Sequence, residues 1–275
     1  MLLNSLSTTA RLSTKSLSSP TARLLAYSTT SRLSQALDNK PFANKMTNVP
    51  ELTLYYSTTC PWAQRGNLAL YEVDAKVNRI EIDLKNKPSW YTTKVNPAGK
   101  VPVLQVGSDE AGTKIPESHV ILELVSDLYP GKLLPQDALK RAEARYFIER
   151  FNQIITTPFF TNLIQGQDNT EALLNGVTEI QGLLAKYDGP FALGEKLSAA
   201  DLGVAPFVGR FFAMGQADAL TGSIYEKIST DPTYAPFVAY HKTLTGLKYW
   251  ESTFPEKQIV EDTKAFVAKM RASKA

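Results

Sequence analysis

Cys60 is the only cysteine in 275 residues, and it stands in the stretch YYSTTCPWAQRG at 55–66. A short β-rich run precedes it and a helical pattern follows. Pro61 suits the first helical position, where its missing N–H would have no partner anyway. The sulfur then sits at a helix N-terminus. Free N–H groups and the positive end of the helix dipole favour thiolate over thiol there. The expectation is a reactive Cys60 with a pKa below the free-thiol value of about 8.5. The ordinary alternative is a buried, inert cysteine.

Ala63 occupies the place where a Cys-x-x-Cys pair carries its second thiol. Cys60 therefore has no intrachain partner. It can form a mixed disulfide, and a second, external thiol must resolve it. The two histidines, His119 and His241, are far apart in sequence and match no metal-ligand spacing, so no metal site is expected. Ser198 and Asp201 have capping-box spacing, each side chain satisfying a backbone N–H at the other's end. That pair reads as structural, because no histidine is placed to complete a triad.

These groups need a scaffold, and the chain offers two patterns after an N-terminal leader. Residues 1–45 carry six Lys or Arg and one acid, Asp38, a net of +5; the remainder has 24 basic and 26 acidic residues, a net of −2. The overall +3 thus belongs to the leader, and the body has no electrostatic case for nucleic acid. Spaced arginines, many hydroxyls and few acids over 1–46 fit a mitochondrial transit peptide that takes no part in the fold. A disordered cytosolic tail is the bland alternative. A product starting at Met46 would keep the whole fold and stay cytoplasmic. No apolar run reaches the roughly 18 residues of a membrane span.

After the leader, 51–57 reads as a strand and Pro61 to about Val73 as a helix. A second strand covers 78–84, with Ile80, Ile82 and Leu84 on one face. Strands at 100–106 and 113–115 flank a turn, and a helix runs from Ser118 to Tyr129 on an apolar stripe. The Pro/Gly-punctuated 129–137 is a linker. Beyond it only helical spacing recurs: 142–155, 173–187, and roughly 199–215, 234–249 and 257–271. The pattern predicts an α/β domain over 47–130 and an all-helical domain over 131–275.

At this point the chain resembles the glutathione transferases, and within them the omega class. The resemblance spans about 50–255 and rests on four stretches in order. They are CPWAQR at Cys60, LKNKPSWYTTKVNPAGKVPVLQ at 84–105, IPESHVILELVSDLYPGKLLP at 115–135 and SAADLGVAPF at 198–207. It implies a thioredoxin-like N-terminal domain plus an all-α C-terminal domain. It also implies glutathione as co-substrate, bound by Trp62, Lys87, Val101, Pro102, Glu117 and Ser118 beside the catalytic Cys60.

Within that resemblance, Val101-Pro102 matches the fold's cis-proline, with Val101 pairing glutathione's backbone. Lys87 would meet the glycyl carboxylate. Ser118, as helix N-cap, would meet the γ-glutamyl carboxylate, and Glu117 its ammonium. The implied reaction is glutathione-dependent thiol transfer or reduction of a small disulfide or electrophilic substrate, dehydroascorbate among the candidates. The alternatives are conjugation through a hydroxyl among Tyr55, Tyr56, Ser57, Thr58 and Thr59, or a non-catalytic ligand carrier on the same fold. Membrane insertion, known in a related family, is not expected, because Gly66, Asn67, Glu72 and Asp74 interrupt the first helix. A homodimer is a family expectation. The second-substrate pocket is expected among Tyr146, Phe159, Phe160 and Phe211.

Overall fold

The structure is a computed structural model, and it describes residues 49–108 and 110–273. The leader read over 1–46, and any targeting role it has, lie outside the described residues.

Four strands form one sheet in the order β2-β1-β3-β4. They are β1 (Leu52–Tyr56), β2 (Val77–Glu81), β3 (Val103–Val106) and β4 (Thr113–Pro116). β1 runs parallel to β2, and the β1–β3 and β3–β4 pairs are antiparallel. The parallel pair needs a crossover, which α1 (Pro61–Glu72) supplies. α2 (Ser89–Lys94) precedes β3, and α3 (Ser118–Leu128) follows β4.

Strand alternation sorts the side chains to two faces. Leu52, Leu54 and Leu104 enter the main core with Leu68, Leu70, Ile121 and Val125 of α1 and α3. Tyr55 and Val103 point to the opposite face, where Tyr91 of α2 and Ile82 close a smaller cluster. Two layers of helix thus cover a sheet hydrophobic on both sides, the thioredoxin-like arrangement. The six-residue α2 is absent from the sequence reading, and β2 is shorter than expected. Ile82 is buried in the small cluster, but Leu84 lies beyond the strand end and is exposed.

The rest is helical: α4 (Ala138–Phe151), α5 (Thr157–Gln165), α6 (Thr170–Leu184), α7 (Ala199–Gln216), α8 (Ile224–Thr230), α9 (Ala235–Thr245), α10 (Trp250–Thr253) and α11 (Glu256–Ala272). One π-helical turn, Asn152–Thr156, joins α4 to α5. α7 is buried from Ala199 to Gly215, as expected for the axis of a helical layer. Ser198 and Asp201 form the capping box at its start: Ser198 N–H donates to Asp201 Oδ2 at 2.9 Å, and Ala200 N–H to Ser198 Oγ at 3.2 Å. Asp201 also accepts from Ala192 N–H at 2.7 Å and from the Tyr240 hydroxyl at 2.9 Å. One hydrophobic core runs through both halves of the fold.

Candidate active site

Cys60 is the N-cap of α1, and Pro61 occupies the first helical position. The Cys60 carbonyl accepts from Gln64 N–H at 3.0 Å, which starts the helix. The thiol points across to the Val101 carbonyl, with Sγ 3.8 Å from its oxygen. Val101-Pro102 is a cis peptide. Two groups hold the residue ahead of it: the Tyr91 hydroxyl and Asn96 Nδ2 donate to the Lys100 carbonyl, at 2.7 and 2.8 Å. The buried α2 face thereby anchors the loop opposite the sulfur.

A cavity of about 560 Å³ opens in front of Cys60. Trp62, Lys87, Val101, Pro102, Glu117 and Ser118 all line it, as do Leu84, Asn96, Gly99, Lys100, Pro116 and Phe266. The seven residues read from the sequence are therefore brought to one place. Tyr55, Tyr56, Ser57, Thr58 and Thr59 do not line it. The Tyr55 hydroxyl is spent on Gln105 Oε1 at 3.2 Å, and Tyr56, Ser57 and Thr58 border a separate small recess.

Three expectations are corrected. Ser118 is not the N-cap of α3; it is the first helical residue, and Glu117 takes the cap position. Ser118 is buried, and its hydroxyl accepts from Arg65 Nη1 at 3.0 Å. Glu117 is exposed and has φ 71° and ψ 113°, a region that non-glycine residues pay to occupy. The strain turns the chain so that Glu117 and Ser118 both face the cavity.

The second correction concerns the Cys60 thiol. Burial pushes it up from its ordinary value and outweighs the groups that pull it down: the Ala63 N–H, the Arg210 charge and the Trp62 N–H. The helix N-terminus acts as expected, but protein crowds the sulfur, and desolvation disfavours the charged form.

The third concerns the aromatic pocket. Phe159 and Phe211 are core residues, 1% and 0% exposed. Tyr146 is exposed in another cleft, with His119, Glu123 and Arg145. Phe160 does not line the cavity either, but it backs a residue that does, stacking on Trp62 with ring centroids 5.3 Å apart. Phe207 meets the same indole edge-on at 5.6 Å. The apolar rim is completed by Leu84 and by Phe266 of α11, half of it exposed. No sequence signal separated these two from surface residues, since they meet only through tertiary packing.

Two buried arginines carry roles that the sequence reading did not assign, although Arg65 closes the CPWAQR stretch. Arg65 donates to the Gly203 carbonyl at 2.9 Å through Nε and to Asn152 Oδ1 at 3.4 Å through Nη2, besides Ser118. Burial pulls its pKa down to about 10. It joins α1, α3, α7 and the π turn. Gly203, whose carbonyl Arg65 meets, leaves room for Ile148 of α4: a Cβ there would lie 2.7 Å from that side chain. Arg210, from α7, meets α1 at Gln64. Among the described residues no group of His, Cys, Asp and Glu could hold a metal ion, and no helix is long and apolar enough to cross a membrane.

A thioredoxin-like sheet joined to a helical layer, with a helix-capping cysteine facing a cis-proline loop, is the architecture of the glutathione transferase fold. Comparison agrees. The family profile for the glutathione S-transferase N-terminal domain matches residues 54–133. Glutathione S-transferase L1 of Arabidopsis thaliana is 33% identical, over 58% of this chain and 65% of its own length. Glutathione S-transferase omega-2 of Rattus norvegicus is 33% identical, over 62% of this chain and 70% of its own. The crystal structure of glutathione transferase Omega 1C from Trametes versicolor superposes with a TM-score of 0.74. It is 32% identical and covers 80% of this chain and 98% of that one. The chain belongs to the glutathione transferase family of enzymes, on its omega-class side.

Proposed function

We propose that the protein is a glutathione-dependent thiol transferase acting through Cys60. The carrying observation is that Cys60 lines the cavity with Lys87, Val101, Glu117 and Ser118, while the hydroxyls of 55–59 do not. Glutathione lies along the cis-proline loop, its backbone pairing with Val101 as an added strand would. Lys87 meets the glycyl carboxylate, and Glu117 and Ser118 meet the γ-glutamyl end.

The Cys60 thiolate attacks the glutathione sulfur of a mixed disulfide. A Cys60–glutathione disulfide forms, the original S–S bond breaks, and the substrate leaves as a thiolate that takes a proton from water. A second glutathione, as thiolate, attacks the bound glutathione sulfur. Oxidised glutathione departs and the Cys60 thiolate returns. The substrate side of the cavity is apolar, set by Trp62, Leu84 and Phe266 with Phe160 stacked behind Trp62, and suits a small, flat or hydrophobic group.

The test is exchange with a glutathione–hydroxyethyl mixed disulfide, comparing wild type with Cys60→Ser. Exchange should fall at least a hundredfold while calorimetry still detects glutathione binding. Wild-type exchange in the variant would reject the mechanism. Strong conjugation of a halonitrobenzene by wild type and variant alike would favour a hydroxyl.

We further propose that residues 1–45 direct the full-length chain to mitochondria, on the strength of their composition. Fusion of residues 1–45 to a fluorescent reporter decides this. A diffuse reporter would return the protein to the cytoplasm.

A further inference from the structure

Arg210 sits mid-way along α7 and is 3% exposed. Its Nη1 donates to Gln64 Oε1 and to the Pro206 carbonyl. Its Nη2 donates to the Thr59 carbonyl at 3.1 Å, one residue before Cys60 and 151 residues away in the chain. The guanidinium also lies over the Phe254 ring, 5.2 Å from its centroid. Its Nε is buried and has no hydrogen-bond partner among the described residues.

A buried guanidinium ordinarily comes with a carboxylate, because an uncompensated charge is costly to desolvate. Among the described residues none lies within ion-pair reach of Arg210. Its neighbours are amide, carbonyl and ring. The one ionisable group that favours its charged form is Cys60, and the dependence is mutual.

We propose that Arg210 is a positioning residue for Cys60: it fixes the turn carbonyl ahead of the sulfur and supplies the buried positive charge that the Cys60 thiolate answers. The inference rests on the reading that Cys60 works as a thiolate. It explains why the helical half reaches beneath the sheet half at this point. The helix N-terminus alone does not outweigh burial at this sulfur, and Arg210 adds a full charge on the side away from the cavity.

The remaining charged or titratable groups around the sulfur cannot take this part. Lys87, Lys100 and Glu117 stand on the exposed cavity rim, where solvent screens them. Tyr91, from α2, is pushed up by burial and stays neutral. Arg65, on α1 itself, is directed to Ser118.

Because Cys60 is the sole cysteine, alkylation of the intact protein reports on it alone. The experiment measures iodoacetamide alkylation rate against pH for wild type, Arg210→Gln and Arg210→Lys, with circular dichroism as a check on folding. Glutamine keeps a donor and drops the charge; lysine keeps the charge. The glutamine variant should raise the apparent thiol pKa by about one unit, roughly tenfold less thiolate at a fixed pH below it, and lysine by less than about half a unit. An unshifted glutamine variant, or equal shifts in both, would overturn the proposal in favour of a purely structural clamp. If the glutamine variant does not fold, the lysine variant decides by the same half-unit limit. Alkylation needs no turnover, so it stays readable even if Cys60→Ser retains exchange and the transfer mechanism fails.

Discussion

The Arg65 guanidinium donates to Ser118 Oγ at 3.0 Å across 53 residues of chain, and both groups are buried. The hydroxyl at the mouth of α3 is therefore held from behind. It reaches the cavity with its lone pairs partly committed and its O–H free to donate forward. Replacing Ser118 with Ala removes an acceptor from a buried cation. That should cost about 1–3 kcal/mol of stability in urea unfolding and weaken glutathione binding as well. A variant that binds poorly at full stability would mean that the Arg65 bond contributes little.

Glu117 should behave in the opposite way. It is exposed, yet its φ of 71° strains the backbone. Glycine occupies such a conformation without a Cβ clash, although it loses more entropy on folding. Glu117→Gly should therefore hold or raise stability, by up to about 1 kcal/mol. It should weaken glutathione binding by about 1.5–3 kcal/mol through the lost charge-assisted bond. Thermal melts and calorimetric titration on the same preparation read both effects. A stability loss comparable to that of Ser118→Ala would show that no strain is stored there.

The contrast shows which parts of the site are legible in the sequence. Cys60-Pro61, Val101-Pro102 and Glu117-Ser118 are short local signals at ends of elements, and their chemistry follows from the backbone position each implies. The order of the four strands and of α1 and α3 over 51–129 is likewise carried by local periodicity, whereas the six-residue α2 is too short to show one. What is not legible comes from distance in the chain. Nothing in the local sequence assigns partners to Arg65 and Arg210; the fold supplies them when it buries the two against Gly203, Ser118 and Thr59. Phe266 reads as one side of an amphipathic helix until α11 reaches the cavity. The upward push on the Cys60 thiol has the same origin, because burial is a property of the assembled fold. The one-residue displacement of the α3 cap reflects a backbone conformation that side-chain preference does not encode.

The apolar rim should govern the substrate and leave glutathione alone. Phe266 is exposed and lines the same cavity as Lys87, Val101 and Glu117, but it comes from α11, far from them in the chain. α11 is tied down separately, by the Lys85–Asp262 ion pair at 2.6 Å and by Lys264 Nζ to the Ala217 carbonyl at 3.0 Å. Phe266→Ala should raise KM for an aromatic S-substituted glutathione about three- to tenfold, in line with about 1 kcal/mol of lost apolar contact. Glutathione Kd should stay within twofold. Equal changes in both would place Phe266 in the glutathione subsite.

Stability should fall in mild acid, with His241 a main cause. Its ring stacks on Phe212 with centroids 3.9 Å apart. Burial, with the Lys242 charge adding to it, pulls its pKa down to about 4 from 6.5. The folded state binds the proton less readily than the unfolded chain. His241 therefore contributes its full stabilisation above about pH 6.5, and the contribution drains away as the pH falls toward 4. Since the ring is only partly enclosed, the loss should be about 2 kcal/mol rather than the full value its shift implies. His241→Phe keeps a stacked ring and removes the proton, so its unfolding free energy should decline less between pH 7 and 4.5. Parallel declines in both proteins would move the effect to other groups. His119, held down by burial and by Arg65, titrates in the same direction and would be next.

Asp201 offers the strongest separation between folding and chemistry. Its carboxylate is fully buried and accepts from Ala192 N–H, Ser198 N–H, Ser198 Oγ–H and the Tyr240 hydroxyl. Burial pushes the carboxyl up, while these four donors hold it down. Removing it would strand several buried donors at once, each worth about 1–3 kcal/mol when left unpaired. Asp201→Ala should therefore cost on the order of 4 kcal/mol or more and yield little folded protein. Asp201→Asn keeps one acceptor oxygen and the shape, and should fold with a smaller loss. None of Ala192, Ser198, Asp201 and Tyr240 lines the cavity. The folded Asp201→Asn enzyme should then show wild-type glutathione affinity and a wild-type Cys60 alkylation profile at a reduced unfolding midpoint. A shifted profile at full stability would mean that the cap of α7 communicates with Cys60, through Arg210 two and a half turns further along the same helix.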